Sequence, residues 1–407
     1  MIQVPTSNRR LVMPAEDSRS AWSIFLVFLR LGLTSFGGPV AHLAYFREEF
    51  VIRRAWLNDR SYASLVALCQ FLPGPASSQV GMALGLSRGG YRGALAAWCG
   101  FTLPSAIILT LLALGVTNDH ALVPEGILQG LKIVAVAVVA HAVYGMARQH
   151  CTTLSKIALA LIAASVVLLV PLAWTQIAVI AVAGLVGMLL FRPGLPLNAD
   201  HLPTPISLEA GAGWLIAFVS LLLGLPLLST LFPSQTLALI ESFYRVGSLV
   251  FGGGHVVLPL LQNEVVPSGW VSHETFLVGY GAAQAVPGPL FTFAAYLGAS
   301  MSVPPTAWTG ALIALLAIFA PSFLLVAGAL PFWNRLQHNR RIQAACFGIN
   351  AAVVGVLLAA LYRPVWTSAI EGPQDIVLAL LALAALLCKV APWRVVILSA
   401  MAGGLLG

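Results

Sequence analysis

Residues 30–39 read Arg-Leu-Gly-Leu-Thr-Ser-Phe-Gly-Gly-Pro, and residues 70–75 read Gln-Phe-Leu-Pro-Gly-Pro. The second half of the chain repeats both motifs. Residues 245–254 read Arg-Val-Gly-Ser-Leu-Val-Phe-Gly-Gly-Gly, and residues 284–289 read Gln-Ala-Val-Pro-Gly-Pro. Two motifs that recur in the same order, each with the same flanking Arg or Gln, indicate an internal duplication.

The spacing of the two copies is nearly constant. Phe251 follows Phe36 by 215 residues, and Pro287 follows Pro73 by 214, so a single deletion separates the copies between the two motifs. We therefore treat the chain as two fused homologous halves.

Both motifs interrupt helices within strongly apolar sequence. Proline lacks the backbone N–H and clashes with the preceding turn, and glycine weakens a helix at little steric cost. In a bilayer the freed backbone groups must find partners in the protein or in a water-filled cavity. Interrupted segments at matching positions of two halves point to the binding site of a transporter. The alternative is that these residues only kink and pack helices.

The composition excludes a soluble globular domain. Of 407 residues, 59% are hydrophobic and 9% are charged, whereas about a quarter are charged in soluble domains. Apolar stretches recur along nearly the whole length, which predicts an all-α polytopic membrane protein. The net charge of +7 lies mainly in loops, where Lys and Arg mark the cytoplasmic ends of spans. It therefore does not indicate nucleic-acid binding.

Cysteine usage and the absence of catalytic motifs further limit the functional class of the protein. The five cysteines have no Cys-x-x-Cys spacing, and most lie in apolar segments, where free Cys behaves as a small hydrophobe. We predict no disulfide, no metal site and no cofactor. We find no nucleophile motif and no phosphate-binding loop, so we predict that the protein is not an enzyme.

The distribution of charge orients the two copies relative to the membrane. Loops 47–60 and 88–92 of the first copy carry six arginines, whereas loops 262–274 and 300–309 of the second carry two glutamates and no Lys or Arg. This reversal predicts an inverted-topology internal repeat. The interrupted segments would then be re-entrant hairpins that enter from opposite sides.

We expect four regions: a cytoplasmic N-terminal tail (1–20), a first membrane half (21–191), a cytoplasmic linker (192–212) and a second membrane half (213–407). The repeat cores span about 21–148 and 237–365. Full spans are predicted near 94–114, 127–147, 157–172, 175–191, 213–231, 307–332, 344–362, 376–390 and 393–407.

Ionisable groups inside a membrane are costly and therefore mark functional sites. Arg30 and Arg245 occupy equivalent positions, six residues before the Phe of each Phe-Gly-Gly motif. The planar fork of Arg suits oxyanions, and no acidic residue lies in the middle of a predicted full span. Alternatively, these arginines reach the interface or pair with Glu49 and Glu264.

Histidines offer a route for coupling transport to protons. His42, His141 and His255 lie in or near apolar sequence, although a lone histidine there is more often a hydrogen-bond partner between helices. We take His42, together with Glu49 and Glu264, as the coupling candidates.

The first Pro-Gly-Pro turn predicts an anion site. A helix that begins at Ala76 would present free N–H groups at its positive dipole end, with the hydroxyls of Ser77 and Ser78 beside them. The second copy has Leu290 and Phe291 at the matching positions. We therefore expect unequal halves, with the first copy facing the substrate.

The motifs at 36–39 and 71–75, with their copies in the second half, resemble those of the chromate ion transporter family in its long, two-half form. The resemblance covers about residues 20–145 and 240–365. It implies an inner-membrane carrier that exports chromate and confers chromate resistance, with sulfate as the related tetrahedral dianion.

The predicted substrate-binding residues are the two arginines, the interrupted motifs and the adjacent serines: Arg30, Phe36, Gly37, Gly38, Pro39, Pro73, Gly74, Pro75, Ser77, Ser78, Arg245, Gly252, Gly253, Pro287, Gly288 and Pro289. Gly254 in place of Pro and Val286 in place of Leu set the second half apart from the first.

Two other readings stay open. One is a carrier or channel for sulfate or another oxyanion. The other is a membrane-embedded enzyme, which would need acidic or histidine clusters at the interface. The expected partners are an inorganic oxyanion and the lipid bilayer, with a homodimer left open and no nucleic acid.

Overall fold

The computed structural model of the protein describes residues 20–36, 38–118, 125–170, 175–192, 205–251, 257–333 and 339–406. Regular structure in these residues is helical and includes no strand, which confirms the predicted all-α class. The first half contains α1 (Ala21–Thr34), α2 (Gly38–Arg47), α3 (Asp59–Phe71), α4 (Ala76–Asn118), α5 (Glu125–His150), α6 (Leu154–Leu169) and α7 (Thr175–Leu190).

The remaining helices are α8 (Leu208–Leu231), α9 (Gln235–Leu249), α10 (Val257–Val265), α11 (His273–Ala285), α12 (Phe293–Ala299), α13 (Ala307–Ala329), α14 (Arg340–Ala360), α15 (Pro373–Leu387) and α16 (Pro392–Leu406). Short helical turns extend several of them: Glu48–Arg53, Leu290–Thr292, Leu330–Phe332, Leu361–Trp366 and Thr367–Ala369.

The helices are interrupted where the motifs predict. The break between α1 and α2 falls at the first Phe-Gly-Gly motif, and the break between α3 and α4 at the first Pro-Gly-Pro motif. Helices α9 and α11 end immediately before the second copies. Equivalent polar residues start α3 and α11, because the side chains of Asn58 and Ser272 accept the N–H groups of Ser61 and Thr275.

Helix α4 is a helical hairpin and not a straight rod. Gly89 and Gly90 have non-helical backbone angles, and a Cβ at Gly85 would overlap the carbonyl of Gly93. Eight residues of straight helix would hold these two positions about 12 Å apart, so the chain must fold back at the Gly-Gly pair.

The second half folds back at the same place. Gly298 of α12 lies against Gly310 of α13, on either side of the loop that joins them. This agrees with the sequence prediction of a separate interrupted segment, followed by a full span, in each half.

The last two helices of each half pack on the other half. Helices α6 and α7 pack on α14, and α15 and α16 pack on α5. Gly187 of α7 meets Gly348 of α14, and Gly403 of α16 meets Gly130 of α5, so the backbones approach closely as in small-residue interfaces of membrane proteins. Gly187 is equivalent to Gly403, and Gly130 is equivalent to Gly348. The two contacts are therefore the same contact with the two halves exchanged. The halves are therefore interlocked and related by an approximate two-fold axis.

Helix α8 follows the first half in the chain and packs mainly on α9 and α13 of the second half, with few of its residues buried. It begins at Leu208, capped by Ser207, so the end of the predicted linker is helical, while residues 193–204 lie outside the described residues. In the part of the chain that the structure describes, five helical segments are long and apolar enough to span a membrane, with the α4 hairpin counted as one: Ala76–Gly115, Gln129–His150, Leu208–Leu231, Ala307–Phe332 and Arg340–Arg363. A single extra crossing between two homologous halves would turn the second upside down relative to the first.

Segments predicted to share the cytoplasmic face contact one another. The guanidinium of Arg88 lies 5.1 Å from the ring centroid of Trp56. The indole Nε1–H of Trp214, at the start of α8, donates to the hydroxyl of Tyr91 at 2.9 Å.

Segments predicted to share the opposite face also meet. Lys132 forms an ion pair with Glu274 at 2.6 Å, and the side chain of Gln129 donates to the carbonyl of Ala369 at 2.9 Å. Both sets of contacts agree with the charge-based topology. The membrane sidedness and the re-entrant paths of the interrupted segments stay predictions.

Candidate functional site

The two Pro-Gly-Pro turns each cross to the other half. The N–H of Gly74 donates to the carbonyl of Val250 at 2.6 Å, and the N–H of Gly288 donates to the carbonyl of Ser35 at 3.0 Å. Gly74 is equivalent to Gly288, and Ser35 is equivalent to Val250. Each turn is therefore bonded to the residue just before the Phe-Gly-Gly break of the opposite half.

Both turns require glycine at their centre. The φ angle is +121° at Gly74 and +108° at Gly288, in a region that residues with a Cβ rarely adopt. A Cβ at Gly74 would lie 2.7 Å from Oγ of Ser322, and one at Gly288 would lie 2.8 Å from Oγ of Ser105. The two serines are themselves equivalent, so the close packing is repeated in both halves.

The break of the first half carries a polar network that has no counterpart among the described residues of the second half. The buried imidazole of His42 lies with Nε2 3.2 Å from the carbonyl oxygen of Ser35 and Nδ1 3.4 Å from Oγ of Ser77. A carbonyl can only accept, so in this contact Nε2 carries the proton and Nδ1 accepts from the Ser77 hydroxyl. The equivalent residues in the second half are the apolar Val257 and Phe291.

A cavity of about 330 Å³, the central cavity, opens beside these turns. The first-half breaks contribute Gly38, Pro39, Gly74 and Ala76 to its wall. Its polar lining residues come from both halves: Gln70, His141, Gln149, His150, Gln284 and Asn350. Among the described residues that line it, none is a carboxylate, a lysine or an arginine.

The start of α4 reaches this cavity through Ala76. The first N–H groups of a helix have no acceptor within the helix and carry the positive end of its dipole. Pro73 keeps its carbonyl bonded to the side chain of Gln79 at 2.6 Å. The Oγ of the buried Ser78 and the Nε2 of Gln284 have no hydrogen-bond partner among the described residues. Gln284 thus brings a donor without a partner among the described residues to a cavity with neutral walls, which suits an anion. The predicted Ser77 and Ser78 follow Ala76 in sequence, but they are buried and do not line this cavity.

Arg245 lies within an ion-pair cluster of the second half. Its guanidinium is 2.6 Å from Glu241 and 2.8 Å from Glu264, and all three side chains are largely buried. The predicted internal pair with Glu264 is therefore present. Because two carboxylates share one guanidinium, Arg245 has little capacity left for an anionic substrate.

Arg30 has no corresponding partner. It lies on the exposed face of α1 with Trp22 and Leu26, and it makes no ion pair among the residues that the structure describes. The alternative pair between Arg30 and Glu49 does not form, because Glu49 binds Arg54 at 2.7 Å. Neither Arg30 nor Arg245 lines the central cavity. Their roles in substrate binding stay predictions, as do the coupling roles of His42, Glu49 and Glu264.

Other predicted site residues take up different positions. Phe36 packs against Trp393 with ring centroids 5.7 Å apart. Pro75, Pro287 and Pro289 lie in the two turns without lining the central cavity. Four predicted residues lie outside the described residues: Gly37, Gly252, Gly253 and His255.

Several cavity residues are absent from the predicted site. The recurrence of Gln70 as Gln284 is visible in the sequence and could have identified this pair. No comparable signal marks Gln149 or His150. Among the described residues, no group of three or more His, Cys, Asp and Glu side chains could hold a metal ion.

Two interlocked halves, helices broken at matching positions and a cavity at those breaks define a multi-pass membrane protein of the transporter class. The sequence itself supports this class. The chain belongs to the chromate transporter family, whose family model matches residues 22–188 and 237–405, once in each half. Each match extends beyond the repeat core outlined by the motifs and includes the helices that pack on the opposite half.

Relatives of similar length are known. The chain is 29% identical to an uncharacterized transporter of Methanocaldococcus jannaschii over 88% of this chain and 87% of the relative. It is 27% identical to the chromate transport protein of Pseudomonas aeruginosa over 82% of this chain and 78% of the relative. It is also 27% identical to the chromate transport protein of Cupriavidus metallidurans, over 89% and 87%. No solved structure matches the chain.

Proposed function

We propose that this protein is a secondary carrier that exports chromate across the inner membrane, with sulfate as a related substrate. The observation that carries the proposal is the central cavity, which lies at the helix breaks of the first half and takes its polar lining from both halves, with no carboxylate among the described lining residues. The names of the relatives from Pseudomonas aeruginosa and Cupriavidus metallidurans support chromate in particular.

Neutral donors suit the transport of a dianion. An oxyanion that enters the membrane loses water, which is costly unless hydrogen bonds and dipoles replace it. The amides of Gln70, Gln284 and Asn350 and the start of α4 would replace that water. A fixed cation in the cavity would bind the ion more tightly and slow its release. We therefore expect recognition by tetrahedral geometry and hydrogen bonding.

The interlocked repeat supports alternating access. In transporters built from inverted repeats, the two halves exchange conformations around a fixed site at their interface. Gly74 and Gly288 tie each turn to the opposite half, so a movement of one half would carry the turn of the other with it. The central cavity would then open to one face at a time.

Transport by everted membrane vesicles tests this function. Vesicles that contain the protein should accumulate radiolabelled chromate in a saturable manner, and unlabelled sulfate should compete. Vesicles without the protein should not accumulate it. Failure to accumulate either oxyanion, with the protein present in the membrane, would contradict the proposal.

A channel for the same ions is the second candidate. Purified protein in liposomes distinguishes a carrier from a channel. When the liposomes are loaded with unlabelled oxyanion, a carrier shows counterflow of the labelled ion and a channel does not. Counterflow is the expected result.

A further inference from the structure

A second cavity of about 490 Å³, the outer cavity, lies at the face predicted to be external. It is formed by the end of α6, the start of α7, helix α10 with its connection to α11, and the end of α14 with the helical turns that follow it. Its polar lining residues are Thr175, Gln176, Gln262, Asn263, His273, Arg363 and Thr367. All of these belong to segments that the charge pattern assigns to the same side of the membrane.

Several buried polar atoms at the outer cavity have no partner. Nε2 of Gln262 lies 3.0 Å from Nδ1 of His273. An amide nitrogen can only donate, so Nδ1 accepts and the proton of His273 lies on Nε2. That Nε2–H, and the Oε1 atoms of Gln176 and Gln262, have no hydrogen-bond partner among the described residues. Both glutamines are only 4% exposed, and an unpaired buried polar group is costly.

The charge of the outer cavity is positive. Arg363 lines it and forms no ion pair with the residues that the structure describes. No Asp or Glu is among the described lining residues. Two acidic residues adjoin lining residues in sequence, and both are paired: Glu264 with Arg245 at 2.8 Å and Glu274 with Lys132 at 2.6 Å. Arg363 and His273 therefore line one cavity, with no carboxylate among its described lining residues.

The described residues of the first half carry a different pair at the matching positions. Arg47 and Asp59, the equivalents of Gln262 and His273, form an ion pair at 2.7 Å. Each of these charges is therefore satisfied by the other. In the second half the pair is neutral and leaves an N–H free. The approximate two-fold symmetry is thus broken at this position among the described residues.

We propose that the outer cavity is a second oxyanion site, where a tetrahedral dianion binds to Arg363 and the Nε2–H of His273 on its passage between the central cavity and the external side. This rests on the proposed function. The outer cavity has a volume of about 490 Å³, which leaves room for the ion to keep part of its water there. Such water would also donate to the carbonyl oxygens of Gln176 and Gln262, which have no partner among the described residues.

Protection of a cysteine from labelling tests this site. Asn263 is exposed and lines the outer cavity, so Asn263→Cys in a cysteine-free background places a reporter beside the proposed ligands while leaving them intact. A membrane-impermeant maleimide is applied to right-side-out and everted vesicles. Sulfate and molybdate serve as probes, because they are tetrahedral dianions that do not oxidise thiols, with chloride at equal ionic strength as the reference.

We expect labelling from the external side only, slowed severalfold by sulfate or molybdate and not by chloride. Arg363→Gln removes a charged donor, which should raise the sulfate concentration for half-protection by about tenfold. Arg341→Gln, at the opposite end of α14, is the matched control and should leave the sulfate concentration for half-protection unchanged. If Arg363→Gln does not reach the membrane, His273→Gln provides the same comparison.

The possible results distinguish a failure of the outer site from a failure of the proposed function. If vesicles transport the oxyanion but sulfate gives no protection beyond chloride, or protects the Arg363→Gln and His273→Gln variants equally well, the outer site is wrong and the function stands. If neither transport nor protection occurs, the proposed function fails as well. Labelling of Asn263→Cys from the cytoplasmic side alone would contradict the external position.

Discussion

Gln70 and Gln284 lie at equivalent positions of the two halves and both line the central cavity. Each precedes its Pro-Gly-Pro turn by the same number of residues, and each turn is bonded to the opposite half. The approximate two-fold symmetry therefore brings two amides, distant in sequence, to one space. Both halves contribute to the cavity, whereas the polar network with His42 has no counterpart among the described residues of the second half.

The glutamine pair provides the first prediction. Gln70→Leu or Gln284→Leu removes an amide from the central cavity without adding charge, so the KM for the oxyanion should rise by about tenfold, the usual effect of losing a hydrogen bond to a charged group. Initial rates in vesicles at several oxyanion concentrations measure this. Gln374→Leu, at an exposed position of α15, should leave KM unchanged. A normal KM in the double variant would remove the pair from the site.

The serines at the start of α4 provide the second prediction. Ser77→Ala and Ser78→Ala keep the turn but remove hydroxyls, so the double variant should reach the membrane normally and show a raised KM for oxyanion uptake. Ser165→Ala is the control, because that hydroxyl is exposed and bonds only to its own helix. An unchanged KM in the double variant would leave the turn with a purely structural role.

The turn glycines provide the third prediction. Gly74→Ala and Gly288→Ala place a Cβ at positive φ and against Ser322 and Ser105, so each should lower stability by at least 1–2 kcal/mol, roughly the cost of a left-handed conformation. The melting temperature of purified protein in detergent measures this. Gly213→Ala in α8 meets nothing within 4 Å and should have little effect. Equal melting temperatures for all three variants would contradict the requirement for glycine.

The ion-pair cluster of Arg245 provides the fourth prediction. Arg245→Ala leaves two largely buried carboxylates unpaired, and breaking a buried pair costs about 3–5 kcal/mol. We expect low membrane abundance, partly restored when Glu241→Gln and Glu264→Gln are added. Immunoblots of membranes report the abundance. A variant that is abundant but inactive would instead assign Arg245 to transport. Arg30→Gln, which breaks no ion pair among the described residues, should be abundant, and its transport rate tests the predicted substrate role directly.

Membrane sidedness provides the fifth prediction. Arg53→Cys should react with an impermeant thiol reagent only in everted vesicles, and Val303→Cys only in right-side-out vesicles. The physical reason is the reversed charge of the loops that contain them. Reaction of both from the same side would contradict the inverted repeat.

The sequence by itself determined the class, the duplication and the helix breaks. Proline and glycine act on the backbone locally, so the ends of α1, α3, α9 and α11 were predictable from the motifs. The unequal polarity of the two breaks was also predictable, since Ser77 has an apolar equivalent in Phe291.

Only the tertiary structure decided which side chains meet. Arg30 and Arg245 are equivalent in sequence, but their surroundings differ because Glu241 of α9 has the apolar Leu26 as its equivalent. Sequence reasoning therefore gave both arginines the same role. In the folded protein, Arg245 is paired with two carboxylates, whereas Arg30 is exposed. The central cavity is likewise a product of long-range packing. Gln70, Gln284 and Asn350 come together only because the halves interlock, and a contact between residues far apart in the chain leaves no local pattern of its own.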